Sequence, residues 1–195
     1  MHRLSLFVSS TCYDLKSLRE HLRSEIESWG HDPVLSEYPS FPVSPELSTV
    51  ENCKRVVRER ADLLVLIVGG KRGSLDPLTK KSVVNSEYQE ARLTGLDCIV
   101  FVDKQVLDLL PIYQKNKEVD LAPTVDNPAV FSFIEQIVKD TKWVFPFTRT
   151  EDILTTLRIQ LSTRFRDLLA RSRKNRLVVP SAFATEPSVT SSTYL

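Results

Sequence analysis

Apolar residues in this chain fall into short unbroken runs, separated by stretches in which they recur every third or fourth position. Leu4–Val8 is an almost wholly apolar run ending in Ser9-Ser10-Thr11, the pattern of a strand buried on both faces and feeding a loop. Leu15, Leu18, Leu22, Ile26 and Trp29 then step at helical spacing. Thr11 stands where a cap can sit, and Gly30 where the helix needs a residue tolerant of the left-handed conformation. Asp32–Tyr38 is a weak second strand. Pro39, Pro42 and Pro45 interrupt regular structure until Ser48 and Glu51 form a capping box for a helix through Arg60. Leu63–Val68 is the strongest strand in the sequence and runs into Gly69-Gly70-Lys71-Arg72-Gly73-Ser74, then a polar loop to about Lys81. Ser82–Thr94 reads as a helix closed by Gly95, and Cys98–Val102 as a fourth strand.

Beyond Asp103 the pattern loosens through Pro111 and Pro123. It resumes at Asn127-Pro128, a cap and a first-turn proline, with Val130, Phe133, Ile134, Ile137 and Val138 on one helical face. Trp143–Phe147 is expected as a fifth, edge strand. Thr148 with Glu151 is expected as a capping box for a long helix carrying Leu154, Leu157, Leu161, Phe165 and Leu168. This divides the chain into an α/β domain over 1–148, an amphipathic helix over 149–176, and a tail over 177–195 whose Ser, Thr and Pro content predicts disorder.

Alternating strands and helices with right-handed crossovers predict a doubly wound, mostly parallel sheet in the order 2-1-3-4-5. A content of 42% hydrophobic and 26% charged residues in 195 fits one globular domain with an added helix. The net charge of +1 gives no overall attraction to nucleic acid or membrane. Between Arg158 and Arg176, however, seven Lys or Arg stand against one Asp, a basic end on an acidic body that suits an anionic partner or self-association. No aromatic platform or binding motif accompanies this run, so nucleic acid is not the expected partner. Three widely spaced cysteines, Cys12, Cys53 and Cys98, argue against a disulfide framework and a structural zinc site. No segment has the apolar length of a signal peptide or membrane span, and a cytoplasmic location is the expectation.

In such a sheet, ligands bind at the carboxyl ends of the first and third strands. Two distinctive loops meet there. Ser9-Ser10-Thr11 leads toward a helix N-terminus that favours an anion, and Gly69-Gly70-x-x-Gly73 lets backbone approach a ligand closely. Each also has a purely local explanation as turn chemistry. Glu87, near the start of the third helix with Ala91 one turn later, is either a site carboxylate or a first-turn acid complementing the helix dipole. Arg72 is either a phosphate clamp or a solvated cation. Cys12 is either a reactive thiol or inert, and no adjacent His supports it as a nucleophile.

Leu6-Phe7-Val8-Ser9-Ser10-Thr11, Asp14-Leu15, Glu51–Arg55, Leu66–Gly70, Gly73-Ser74, Ser82, Glu87-Tyr88 and Ala91 together resemble the TIR-like family called domain of unknown function 4062. The likeness runs over about residues 3–103, with a similar extension from Tyr113 to the helix at Glu151. The resemblance implies a flavodoxin-like (TIR-like) fold, related to TIR domains and nucleoside deoxyribosyltransferases, in a bacterial antiphage defence or signalling context. It further implies a nucleotide N-glycosidase cleaving NAD, with Glu87 at the ribose and Ser9, Ser10 and Thr11 at a phosphate or hydroxyl. Gly69, Gly70, Arg72, Gly73 and Ser82 line the ligand, and Tyr13 or Tyr88 stacks on a base. No metal and no cofactor beyond NAD as substrate are implied. Self-association or a partner defence protein would organise the site. The alternative is a non-catalytic module that binds a nucleotide signal or a partner protein. The chain departs from the family pattern at Cys12 and Arg72, where aromatics are usual, and at Asn85, where an acid is usual.

Overall fold

Each unbroken apolar run becomes a strand of one sheet. The computed structural model describes residues 3–12, 14–77, 79–141 and 143–177, the side chains of 175–177 excepted. Its strands are β1 (Ser5–Ser9), β2 (Asp32–Val34), β3 (Leu63–Val68), β4 (Cys98–Asp103) and β5 (Phe145–Phe147). They pair in the order β2-β1-β3-β4-β5, every pair parallel, as the alternating pattern predicts. Residues through Leu157 form one compact unit and those from Arg158 onward a second. Among the described residues no helix is long and apolar enough to cross a membrane.

The helices are α1 (Lys16–Ser28), α2 (Thr49–Glu59), α3 (Val83–Thr94), α4 (Lys104–Lys115), α5 (Ala129–Asp140) and α6 (Thr150–Leu177). The β1–α1–β2 and β3–α3–β4 crossovers leave the central strand pair in opposite directions, so right-handedness sets α1 and α3 on opposite faces of the sheet. All six residues of β3 are buried. Phe7, Leu64, Leu66, Val68, Val100 and Val102 share a core with Val56, Val57, Tyr88, Phe131, Ile134 and Ile137. The alternate strand positions Leu6, Val8, Val65, Ile67, Ile99 and Phe101 are equally buried and point to the other face. Burial of each such side chain stabilises the fold by about 1.5–3 kcal/mol, which is why the double-sided runs stay central in the sheet.

Several local signals act as read. The Ser48 hydroxyl accepts from Glu51 N–H at 3.2 Å, that of Ser82 accepts from Asn85 N–H at 3.2 Å, and Gly95 closes α3 in the left-handed conformation. Four expectations are corrected. Thr11 does not cap α1, because Cys12–Leu15 intervene, and the residue before the helix makes no side-chain cap. The second strand stops at Val34, before the prolines take over. The loosened segment after Asp103 holds a helix, α4, with Pro111 inside it on an exposed position. There the Asp103 carboxylate accepts from Gln105 N–H at 2.8 Å, and Val106, Leu110 and Tyr113 form the buried stripe, Tyr113 stacking on Phe131 at 4.5 Å. At α6 the cap is Asp152, whose Oδ2 accepts from Thr148 and Arg149 N–H at 3.0 and 2.9 Å, in place of the Thr148–Glu151 box. The tail beyond Leu177 lies outside the described residues.

The segment between α4 and α5 folds back onto the glycine-rich turn. Asp126 N–H donates to the Gly70 carbonyl at 3.0 Å, and its Oδ1 accepts from Arg72 N–H at 2.9 Å. A Cβ on Gly70 would lie 1.9 Å from the carbonyl oxygen of Thr124, so the hydrogen of Gly70 is a condition of this seam. Gly70→Ala is therefore expected to destabilise the protein by about 1–3 kcal/mol, read as a lowered urea midpoint at unchanged m-value.

Candidate functional site

The ends of β1 and β3 carry the loops expected to meet, and the structure brings them together. Ser9 is the last residue of β1 and pairs in register with Leu66, two residues short of the end of β3. The turn after β3 thus projects beyond Ser9 and lies over Ser10 and Thr11. Gly73, at φ +74°, leaves room there, since a Cβ would stand 2.7 Å from the Thr11 methyl. From below, α3 presents Glu87. The Ser9 hydroxyl donates to Glu87 Oε2 at 2.5 Å.

What holds Ser9 and Ser10 in place is a residue that spacing alone gave no reason to single out. Arg19 on α1 is 1% exposed. Its Nη1 donates to the carbonyl of Val8 at 3.1 Å, to that of Ser10 at 3.4 Å and to the Ser10 hydroxyl at 2.7 Å. Its Nε and Nη2 grip Glu37 at 2.5 and 2.6 Å. Burial would raise the Glu37 carboxyl, but the paired guanidinium overrides this and holds it below its ordinary range. The segment after β2, read as strand, is in fact the partner that neutralises Arg19.

Glu87 is 3% exposed and forms part of the wall of a cleft of about 480 Å³. Burial lifts its carboxyl to about 7, against hydrogen bonds from Ser9 and Cys53 and the charge of Arg19, which pull it down. Ser10, Thr11 and Gly73 line the same cleft, with Cys12, Asp14, Cys53 and Asp126. Both thiols are pushed up, chiefly by burial, with Glu87 as a further cause, so Cys12 is not poised as a thiolate nucleophile. The Thr11 hydroxyl is buried without a hydrogen-bond partner among the described residues.

Other sequence candidates are placed differently. Gly69, Arg72 and Ser82 line a neighbouring cleft of about 180 Å³. Gly70 is spent on Thr124, not on a ligand. Tyr88 is wholly buried, edge-on to Phe133 at 5.7 Å, and is no stacking platform for a base in either cleft. Ala91 lies in the core, so its small side chain serves packing instead of leaving room for a ligand. Tyr13 lies outside the described residues. Cys53 and Ser36 reach the Glu87 cleft from α2 and from the segment after β2, and only the topology reveals them.

The family model described as "Domain of unknown function (DUF4062)" matches residues 5–162. The chain belongs to this family. The DUF4062 match spans the whole five-stranded sheet and the clefts at its carboxyl edge. Among solved structures, the chain is similar to the crystal structure of a conserved protein from Enterococcus faecalis V583, with 16% identity and a TM-score of 0.41. That match covers 82% of this chain and 99% of the other, and at this level of similarity it says nothing of function. No curated protein matches the chain.

Two tests follow from the buried charges. Arg19→Met strands the Glu37 carboxylate and should cost about 2–3 kcal/mol, less than a fully buried pair because 34% of the Glu37 side chain reaches solvent. Adding Glu37→Leu should recover most of that loss in urea unfolding. For Glu87, the folded protein holds the proton more tightly than the unfolded chain, whose carboxyl titrates near 4.5. The contribution of Glu87 to stability is thus greatest below pH 4.5 and falls as pH rises to about 7. Glu87→Gln should remove a decline on the order of 3 kcal/mol from the stability-versus-pH curve across that window.

Proposed function

We propose that this DUF4062 protein is a nucleotide N-glycosidase and that its substrate is NAD. The observation that carries the reading is the Glu87 carboxyl, fixed by Ser9 at 2.5 Å and titrating at about 7, in the wall of a cleft large enough for a nucleoside moiety. The family resemblance supports the same residue, since a glutamate at the start of the equivalent helix is the reacting group in the related transferases.

Cleaving the bond between ribose C1′ and the pyridinium nitrogen sends the bonding electron pair to the nitrogen, so nicotinamide leaves neutral and needs no general acid. The positive charge passes to an oxocarbenium-like ribose, which the Glu87 carboxylate, with Asp14 and Asp126 in the same cleft, stabilises electrostatically. Water then adds at C1′ and gives up a proton, which Glu87 accepts and passes to solvent. The balance is NAD plus water to nicotinamide, ADP-ribose and a proton. A base that titrates near neutrality suits that last transfer.

One observation favours the binding-module alternative. Glu87 is 3% exposed and one of its oxygens is already occupied by Ser9, so the carboxylate must be uncovered before it can face a ribose. The two readings separate in an assay of nicotinamide release from NAD at high protein concentration. Catalysis by wild type should fall about 10²–10⁴-fold in Glu87→Ala, and the wild-type rate should rise with pH through about 7 as Glu87 ionises. Nicotinamide release that is absent from wild type, or equal in Glu87→Ala, sinks the enzymatic reading.

A further inference from the structure

The 180 Å³ cleft adjoins the Glu87 cleft, and the two share Thr11, Lys71 and Val84 as a common wall. Their charges are opposite. Asp14, Glu87 and Asp126 outnumber the shared Lys71 in the larger cleft, whereas Lys71, Arg72, Lys80 and Lys81 line the smaller one, with no carboxylate among its described lining residues. Val68, Val130 and Phe133 form apolar walls of the smaller cleft, and such surroundings make the attraction of its cations for an anion worth more than on an open surface.

The cations are arranged by the loop that carries them. Lys80 is held in the left-handed conformation at φ 58°, an unfavourable state for a residue with a side chain. Its N–H donates to the Asp76 carbonyl at 2.9 Å, and its own carbonyl accepts from Arg72 Nη2 at 2.8 Å. Lys81 donates from Nζ to Gln89 Oε1 at 3.1 Å. Between the two clefts stands Thr11, 9% exposed, its Oγ1 without a hydrogen-bond partner among the described residues. A buried hydroxyl left so is unfavourable, and a ligand oxygen at the junction would offset the loss. The Asn85 Oδ1 in the smaller cleft is likewise buried with no hydrogen-bond partner among the described residues; as an acceptor it suits a ligand hydroxyl or N–H, not a phosphate oxygen.

We propose that the smaller cleft is the anion-binding half of one continuous ligand site, taking the phosphate or diphosphate of a nucleotide while Thr11 bridges to the glycosyl end at Glu87. This rests on the reading of the Glu87 cleft given above and adds which residues hold the phosphates of its proposed substrate. Lys71 and Lys80 supply the attraction. The Thr11 hydroxyl supplies a hydrogen bond where the two halves join.

The test is calorimetric titration of the full chain with ADP-ribose, adenosine and inorganic phosphate, at low and high salt. ADP-ribose should bind at least about tenfold more tightly than either of the other probes and weaken as salt rises. A Lys71→Ala/Lys80→Ala variant should lose about tenfold for ADP-ribose and nothing for adenosine, with Lys115→Ala, on α4, unchanged for both. Thr11→Val should weaken ADP-ribose alone. Equal binding of ADP-ribose and adenosine, an unaffected double-lysine variant, or no binding of any probe overturns the proposal. Inorganic phosphate binding as tightly as ADP-ribose overturns it too, because the anion site would then be independent of Glu87. Charge-dependent ADP-ribose binding without nicotinamide release leaves this inference standing and removes the glycosidase reading, and nicotinamide release with charge-independent binding does the reverse.

Discussion

The arrangement at the carboxyl edge of the sheet depends on one buried guanidinium. Arg19 can be 1% exposed only because its donors are met on both sides, by the Glu37 carboxylate and by the backbone and hydroxyl at the end of β1. The five N–H groups of arginine form a rigid planar fork, so satisfying them sets an orientation as well as a charge balance. Here the fork clamps α1, the end of β1 and the chain after β2 to each other. Ser9 follows from that clamp, and the position of the Glu87 carboxyl follows from Ser9.

A second constraint comes from packing two loops that both lack room. Gly73 stands against Thr11, and Gly70 against Thr124. The glycines therefore act first on the protein itself, drawing the turn after β3 down onto the β1 loop and the 121–126 segment up against it. The two clefts are what remains on either side of this contact, with Thr11 as the partition. Their opposite electrostatics arise from chain order: the carboxylates come from the β1 loop, α3 and the segment before α5, while the cations come from the turn and loop between β3 and α3.

Most of the fold was legible because double-sided burial leaves an unmistakable trace: Leu63–Val68 has no polar residue and becomes the central strand. Glu87 and the two loops were legible through strand order, which names the edge where they meet. What was not legible has specific causes. Pro111 masked α4, yet burial of Val106, Leu110 and Tyr113 outweighs the roughly 3 kcal/mol that a proline costs inside a helix. Arg19 looked like one of many charged positions on an amphipathic helix. Its burial depends on a partner 18 residues away beyond a strand, which no local spacing reports. The glycines showed that backbones approach closely there, but not that the approaching group is a carbonyl of this same chain.

The near-neutral titration of Glu87 also ties ligand occupancy to proton inventory. Around pH 7 the molecules divide between a protonated and an ionised form of this residue. Any cation held beside this carboxyl would favour the ionised form, and its binding would expel a fraction of a proton. The enthalpy of such an association would then contain the ionisation heat of whatever buffer receives that proton, so the charge of the bound group would register in the solvent.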